Sequence, residues 1–340
     1  MTIELPVLRL GLAGFTADEQ LAVRRVLRSA GGEATHWEAG DIDGADAWWV
    51  NGARLQLMGS DRIRIAPAIP SERAVQFHMP DIDRPLAFAR PLPPGFQALC
   101  SFDANDRASM GAVLQQFEGW LAPLVAQFCL ASHIVEHQSA LGSGQFELRL
   151  NSGLLAVVDM HGAAAVRATP RPEEFEGALW RRSAGCVVPD HFARTSLSEL
   201  MWQFAVRTQR DVLPRHYRTG LLYFRRAPRV PQRLLKDAHL LLMRELMLEP
   251  ATFEGLQQRC GFEEQRLARE LSALYLVGSI TSNPKRAARA GARRADGDPA
   301  SSLSSNLPSG LDSALPASLP RKPRMPRHDL TAPAPLRFDH

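Results

Sequence analysis

Residues 231–285 read PQRLLKDAHLLLMRELMLEPATFEGLQQRCGFEEQRLARELSALYLVGSITSNPK. Leu234, Leu235, Ala238, Leu241, Leu242 and Leu246 recur at helical spacing. Glu249-Pro250 ends that helix, because proline has no amide hydrogen to continue it. Thr252 offers a hydroxyl cap to a second helix carrying Phe253, Leu256 and Cys260. Gly261 supplies the sharp turn that follows. A third helix aligns Leu267, Leu271, Leu274 and Leu276, and Gly278-Ser-Ile-Thr-Ser-Asn-Pro predicts a strand that opens a small hairpin.

Three helices, a turn glycine and the exit LYLVGSI resemble the winged-helix superfamily over about a sixth of the chain. The resemblance implies a winged-helix unit over 229–288 and a binding role toward DNA, RNA or protein. Ordinary DNA reading fits poorly. Residues 232–284 hold six Lys+Arg against seven Asp+Glu, and the third helix opens Glu263-Glu264-Gln265, bringing carboxylates first toward phosphate. Arg266 and Arg269, with Lys285 and Arg286 beyond the wing, remain to touch a nucleic-acid backbone.

Upstream, 207–236 contains Arg207, Arg210, Arg215, Arg218, Arg225, Arg226, Arg229, Arg233 and Lys236 against Asp211 alone. His216, Tyr217, Tyr223 and Phe224 are interleaved, giving forks for phosphate and rings for stacking. Prolines 214, 228 and 231 mark loop and linker. One account is an anion or nucleic-acid surface. The other is an arginine-rich connector that pairs with acids of neighbouring domains, for instance Glu173, Glu174 and Glu176.

Downstream, 289–340 is rich in Ser and Pro and carries PRKPRMPR, which predicts a disordered basic tail. From 285 onward ten Lys+Arg stand against five Asp+Glu, a surplus of five. The whole chain carries +4, so the other 284 residues carry one net negative charge. The basic character belongs to the tail. Four widely spaced cysteines form no C-x-x-C pair, which argues against a disulfide framework or zinc knuckle and suits a reducing cytoplasm. The first residues make a poor signal peptide, and the apolar region 110–141 is too interrupted to span a membrane.

At the N-terminus, Leu8–Phe15 reads as a buried strand, Thr16 caps a helix that stops at Gly31-Gly32, and 35–39 and 45–50 read as strands. A closing strand over 86–92 precedes a helix from near Asn105. This α/β order, with Arg90-Pro91 where that family places Lys-Pro, resembles a response-regulator receiver domain. Its chemistry is missing. Ala13, Gly14 and Phe15 stand where an acidic pair would hold magnesium, and Asn51 stands at the phosphoacceptor position. Asp41, Asp43 and Asp46 in the preceding turn read as solvated. Leu55 and Leu57, then Ile63 and Ile65, alternate around Gly59-Ser60-Asp61, hairpin patterning where a receiver has a helix. The region 1–125 is therefore read as a degenerate receiver-like domain or an unrelated small α/β domain.

Residues 126–228 read as an α+β domain of unknown type. An apolar stripe from Val113 to Phe128 is helical, with a kink or break at Pro123. Strands at 146–150 and 154–159 flank Asn151-Ser-Gly, 163–168 adds a third, and 175–180 and 197–208 read as helices. His133-Ile-Val-Glu136-His137 spells H-x-x-E-H, whose two histidines stand on one helical face and could grip zinc. That resembles the inverted zincins, which need a downstream glutamate; Glu147, Glu173, Glu174, Glu176 and Glu199 are available, none in a recognisable motif. The competing account is polar residues on the exposed side of an amphipathic helix. Asp159, His161 and Ser183 supply the residue types of a hydrolase triad but no nucleophile elbow.

The favoured reading is a non-enzymatic, cytoplasmic, bacterial regulatory adaptor without cofactor. It has a phosphorylation-incompetent receiver-like module and a winged helix that docks a protein partner. A DNA-binding transcription regulator is second, and a zinc hydrolase at His133, Glu136 and His137 third.

Overall fold

The computed structural model describes residues 4–30, 35–151, 153–183 and 185–288; the tail 289–340 and the Gly31-Gly32 stop lie outside the described residues. Apolar runs near the N-terminus form β1 (Val7–Ala13), β2 (His36–Gly40) and β3 (Ala47–Asn51), with α1 (Ala17–Ala30) crossing from β1 to β2. Thr16 and Glu19 begin α1 reciprocally. The Thr16 hydroxyl accepts from the Glu19 amide at 3.3 Å, and the Glu19 carboxylate accepts from the Thr16 amide at 2.7 Å. After β3 the chain makes an antiparallel meander, β4 (Leu55–Leu57), β5 (Arg62–Ile65) and β6 (Val75–His78). The hairpin expected at 55–65 is observed, with Leu55 opposite Ile65 and Gly59 at φ +86° in its turn. Its third strand has no strong alternation and was not expected. Then β7 (Leu86–Ala89) and a two-residue β8 (Ser101–Phe102) complete a parallel sheet in the order β2-β1-β3-β7-β8.

Strand alternation gives this sheet two buried faces. On one, Trp37 and Trp49 pack with Val23, Val26 and Leu27 of α1 and Phe117 of the long helix α2 (Arg107–Glu136). On the other, Val50 and Phe88 meet Ile63, Ile65 and Phe77 of the meander. Asp106 caps α2, accepting from the amides of Ala108 at 2.9 Å and Ser109 at 3.2 Å. The helix runs through Pro123 as one element. Of the kink or break expected there, the break is absent. Its later turns, from Val125 to Ile134, belong to a second core, so position 125 falls inside a continuous helix.

That second core lies under an antiparallel sheet made by β9 (Gln145–Leu150), β10 (Gly153–Asp159), β11 (Ala163–Arg167), β12 (Leu179–Ser183) and β13 (Phe192–Ser196), ordered β12-β9-β10-β11-β13. Asn151 takes φ +52° in the first hairpin turn, as its side chain tolerates. Residues 175–180, expected to be helical, divide between a short α3 (Pro172–Glu176) and β12. Phe146, Leu148, Val158 and Val166 point to α2 and α4 (Leu197–Arg207), which Ser196 caps through the Glu199 amide at 3.0 Å. Since β12 and β13 are opposite edges, the chain between them must cross the sheet. It takes the outer face, where the Val188 carbonyl accepts from Arg194 at 3.4 Å.

A short α5 (His216–Thr219) and β14 (Leu221–Phe224) lead to α6 (Asp237–Leu248), β15 (Ala251–Thr252), α7 (Phe253–Cys260), α8 (Glu264–Leu276) and β16 (Ile280–Thr281). Thr252 caps α7, and Gly261 ends it at φ +68°, both as the residues imply. The strand after α8 pairs with β14, not with a following strand, in a sheet ordered β15-β14-β16. The central strand therefore precedes all three helices, and position 228 separates it from its neighbours.

Gly52, just after β3, lies close against the end of β7. A Cβ there would stand 2.4 Å from the Ala89 carbonyl oxygen and 2.6 Å from that of Pro91. We expect Gly52→Ala to destabilise the chain by about 3 kcal/mol through backbone displacement, read as a lower urea midpoint at unchanged slope.

Candidate interaction surface

Of the candidate cations, Arg207 is committed inward, and Arg210, though exposed, is held by acids. Arg207 is 8% exposed and pairs with Asp46, itself 7% exposed. The other Asp46 oxygen accepts from the Arg9 amide at 2.9 Å, and the Arg9 guanidinium donates to the Val206 carbonyl at 2.8 Å. Asp46 is thus not a solvated loop acid. It joins β1 to the end of α4. Burial lowers the Arg9 pKa, with Asp46 opposing and the like charges of Arg207 and Arg269 adding to the decrease. Arg210 donates to Glu4 at 2.7 Å, to Glu136 at 2.7 Å and to the Ser132 hydroxyl at 2.5 Å. Arg218 pairs with Asp211 at 2.7 Å and Glu264 at 3.1 Å over the Phe253 ring. For these three arginines the connector account applies, with different acids from those expected: Asp46, Glu4, Glu136, Asp211 and Glu264.

Arg215, Arg225, Arg226, Arg229, Arg266, Arg269, Lys285 and Arg286 are exposed. Arg266 lies over the Phe262 ring at 4.9 Å. Strand pairing brings Arg225 and Arg226, which follow β14, beside the end of α8. The Arg225 amide donates to the Ser279 carbonyl at 2.8 Å, and the Arg226 side chain donates to the Val277 carbonyl at 3.3 Å. The Ala288 amide donates to the Phe224 carbonyl at 2.9 Å, so Lys285 and Arg286 return to the same end. Residues 212–236 and 271–288 contain no Asp or Glu. A cationic patch results, partly engaged in neutralising the negative end of α8.

The opposite end of α8 carries Glu263 and Glu264, about 20 Å away at roughly 1.5 Å per residue. Leu267, Leu271 and Leu274 face the C-terminal core. Ala268, Ser272 and Ala273 are buried too, with α4 packed along the helix. Within α8 only Glu264, Gln265, Arg266 and Arg269 are exposed. Its second half is covered on every side and has no free face to lay in a groove. Glu270 binds the buried His239 of α6 at 2.6 Å. Burial pushes the Glu270 pKa up, but the His239 contact and nearby cations prevail and it lies below its ordinary value. By contrast, α6 leaves Leu240, Met247 and Leu248 at 49%, 58% and 68% exposure on one side.

The H-x-x-E-H residues do not assemble a metal site. His133 is buried, not on an exposed face, and its ring stacks on His137 at 4.3 Å. The His137 Nδ1 lies 2.9 Å from the His133 carbonyl, and Glu136 is turned to Arg210. Among the described residues no group of three His, Cys, Asp or Glu could hold a metal ion. Glu147 is held by Arg149 at 2.6 Å, Glu174 pairs with Arg167, and Glu199 lies 3.8 Å from Arg233. Arg149 first, then Cys186 and Ser183, hold the Glu147 carboxyl down to about 2. The triad is not formed either. Asp159 accepts from the His161 backbone amide at 2.9 Å, and β9 separates it from Ser183 by about 10 Å of sheet.

Two stability effects follow from this geometry. Asp46→Ala, leaving Arg207 buried and unpaired, should cost about 3–5 kcal/mol in urea unfolding, and Asp46→Leu with Arg207→Met should recover most of it. Burial, then the neighbouring His137, lowers the His133 pKa from 6.5 to about 4, against a hydrogen bond to the Phe175 backbone that favours the protonated ring. The unfolded chain therefore binds the proton first as pH falls. Stability from this group is complete above about pH 6.5 and is lost toward pH 4, by about 3 kcal/mol. In His133→Leu the stability-against-pH curve should flatten across that interval.

No family model, curated protein or solved structure matches this chain.

Proposed function

We propose that the chain is a non-catalytic regulatory adaptor whose C-terminal unit docks a polypeptide. The observation that carries this reading is the apolar side of α6, where Leu240, Met247 and Leu248 stand exposed at positions i, i+7 and i+8. Three successive helices, the left-handed Gly261 turn and the small β15-β14-β16 sheet support treating 221–288 as a winged-helix variant. Its third helix is covered along its second half, which favours docking through α6 over groove insertion. The parallel order β2-β1-β3-β7-β8 supports a receiver-like N-terminal module. Asn51 there gives its side chain to Ala53 and Glu19, with Ala13, Gly14 and Phe15 after β1, so phosphoacceptor chemistry has no residues to run on.

The second reading, contact with DNA, draws on Arg225, Arg226, Arg229, Lys285 and Arg286. Such contact would be to phosphate and independent of sequence. The two readings separate in one comparison. The full-length chain and a Leu240→Asp/Met247→Asp variant are cross-linked in the native cell, and a recovered partner is then titrated in purified form. Loss of two anchoring side chains should weaken that partner at least ten-fold while leaving thermal unfolding unchanged. In parallel, random duplex should bind weakly. Tight duplex binding with a steep salt slope, reduced by about 0.9 for each cation removed among Arg225, Lys285 and Arg286, would establish the second reading instead.

A further inference from the structure

We propose that the cleft at the carboxyl ends of β1 and β2 binds a free aliphatic amino acid. The cleft has a volume of about 310 Å³ and lies between α1 and the 66–74 connection of the meander. That volume is at the small end of ligand sites.

Its walls are held together before any ligand arrives. The Gln20 side-chain amide donates to the Phe15 carbonyl at 3.3 Å and to the Glu72 carboxylate at 3.0 Å, tying α1 to the meander. Gly14, at φ +77°, lets the meander close in, since a Cβ there would stand 2.8 Å from Ile65 Cγ2. Leu12, Ile42, Ile65 and Val75 give the cleft an aliphatic lining, and among the described residues no aromatic ring lines it to stack a nucleobase.

Charge selects the ligand class. Arg24 and Arg73 border the cleft, and neither has an ion-pair partner among the described residues. Arg24 follows Gln20 by one helical turn, on the same side of α1. Asp41 and Glu72 border it as well. A simple anion would meet two carboxylates and a simple cation two guanidinium groups. A zwitterion uses both pairs, with its carboxylate toward the arginines and its ammonium toward the acids. An aliphatic side chain then covers the apolar lining.

The test uses calorimetric titration and thermal shift of the full-length chain with L-leucine, L-isoleucine and L-valine. Parallel titrations use 4-methylpentanoate, which lacks the amine, and 3-methylbutylamine, which lacks the carboxylate. We expect at least one amino acid to bind with Kd of about 1 mM or tighter. Binding should weaken about ten-fold in Arg24→Ala and in Glu72→Gln. Leu240→Asp/Met247→Asp should bind the amino acid as the parent does, which separates this site from polypeptide docking on α6. The proposal falls if none of the three amino acids binds at about 10 mM, well above a weak site's Kd. It falls equally if either singly charged analogue binds as tightly, or if Arg24→Ala leaves affinity unchanged.

Discussion

A helix that is apolar on more than one side must be enclosed, and α2 imposes that requirement over about 45 Å at roughly 1.5 Å per residue. Its first turns need the parallel sheet, and its later turns need the antiparallel sheet and α4. Neither sheet alone could cover it. The Asp46–Arg207 pair then fixes how β1 meets the end of α4, and Arg210 fixes the last turn of α2 to Glu4. Such pairs add little net stability once desolvation is counted, but an uncompensated buried charge is costly. Their contribution is to exclude other arrangements of the same helices.

Much of this was legible wherever the signal is local. Thr16, Thr252 and Gly261 announced their helix ends because a hydroxyl or a left-handed backbone serves the neighbouring amides directly. The runs at β1 and β3 and the Leu55/Ile65 hairpin followed from apolar patterning. What escaped was non-local. Strands of two residues, β8 and β15, are too short to show alternation; β16 was expected as a strand but not as a partner of β14, which was read into the preceding region because its partners lie 29 to 58 residues further on. Arg207 and Arg218 are alike in the sequence, yet one is buried on Asp46 while the other spans Asp211 and Glu264 at the surface. Only the fold decides which acid each meets.

The cleft residues were hidden for the same reason. Gln20, Arg24, Asp41, Glu72 and Arg73 are ordinary surface residue types spread over more than fifty positions. No spacing rule joins a helix, a strand end and a meander connection. The lack of a carboxylate at Asn51, the last residue of β3, was in contrast evident at once, because an absent group needs no partner to be recognised.

The position of β14 has a consequence for modularity. A fragment cut at 229 would keep three helices and two stubs of strand while discarding the segment that hydrogen-bonds both. Recombination or gene fusion that moved this C-terminal piece into another protein would have to carry residues from about 220 onward, or supply a substitute strand from the new host. Inheritance of the unit is therefore tied to the polypeptide that comes before it.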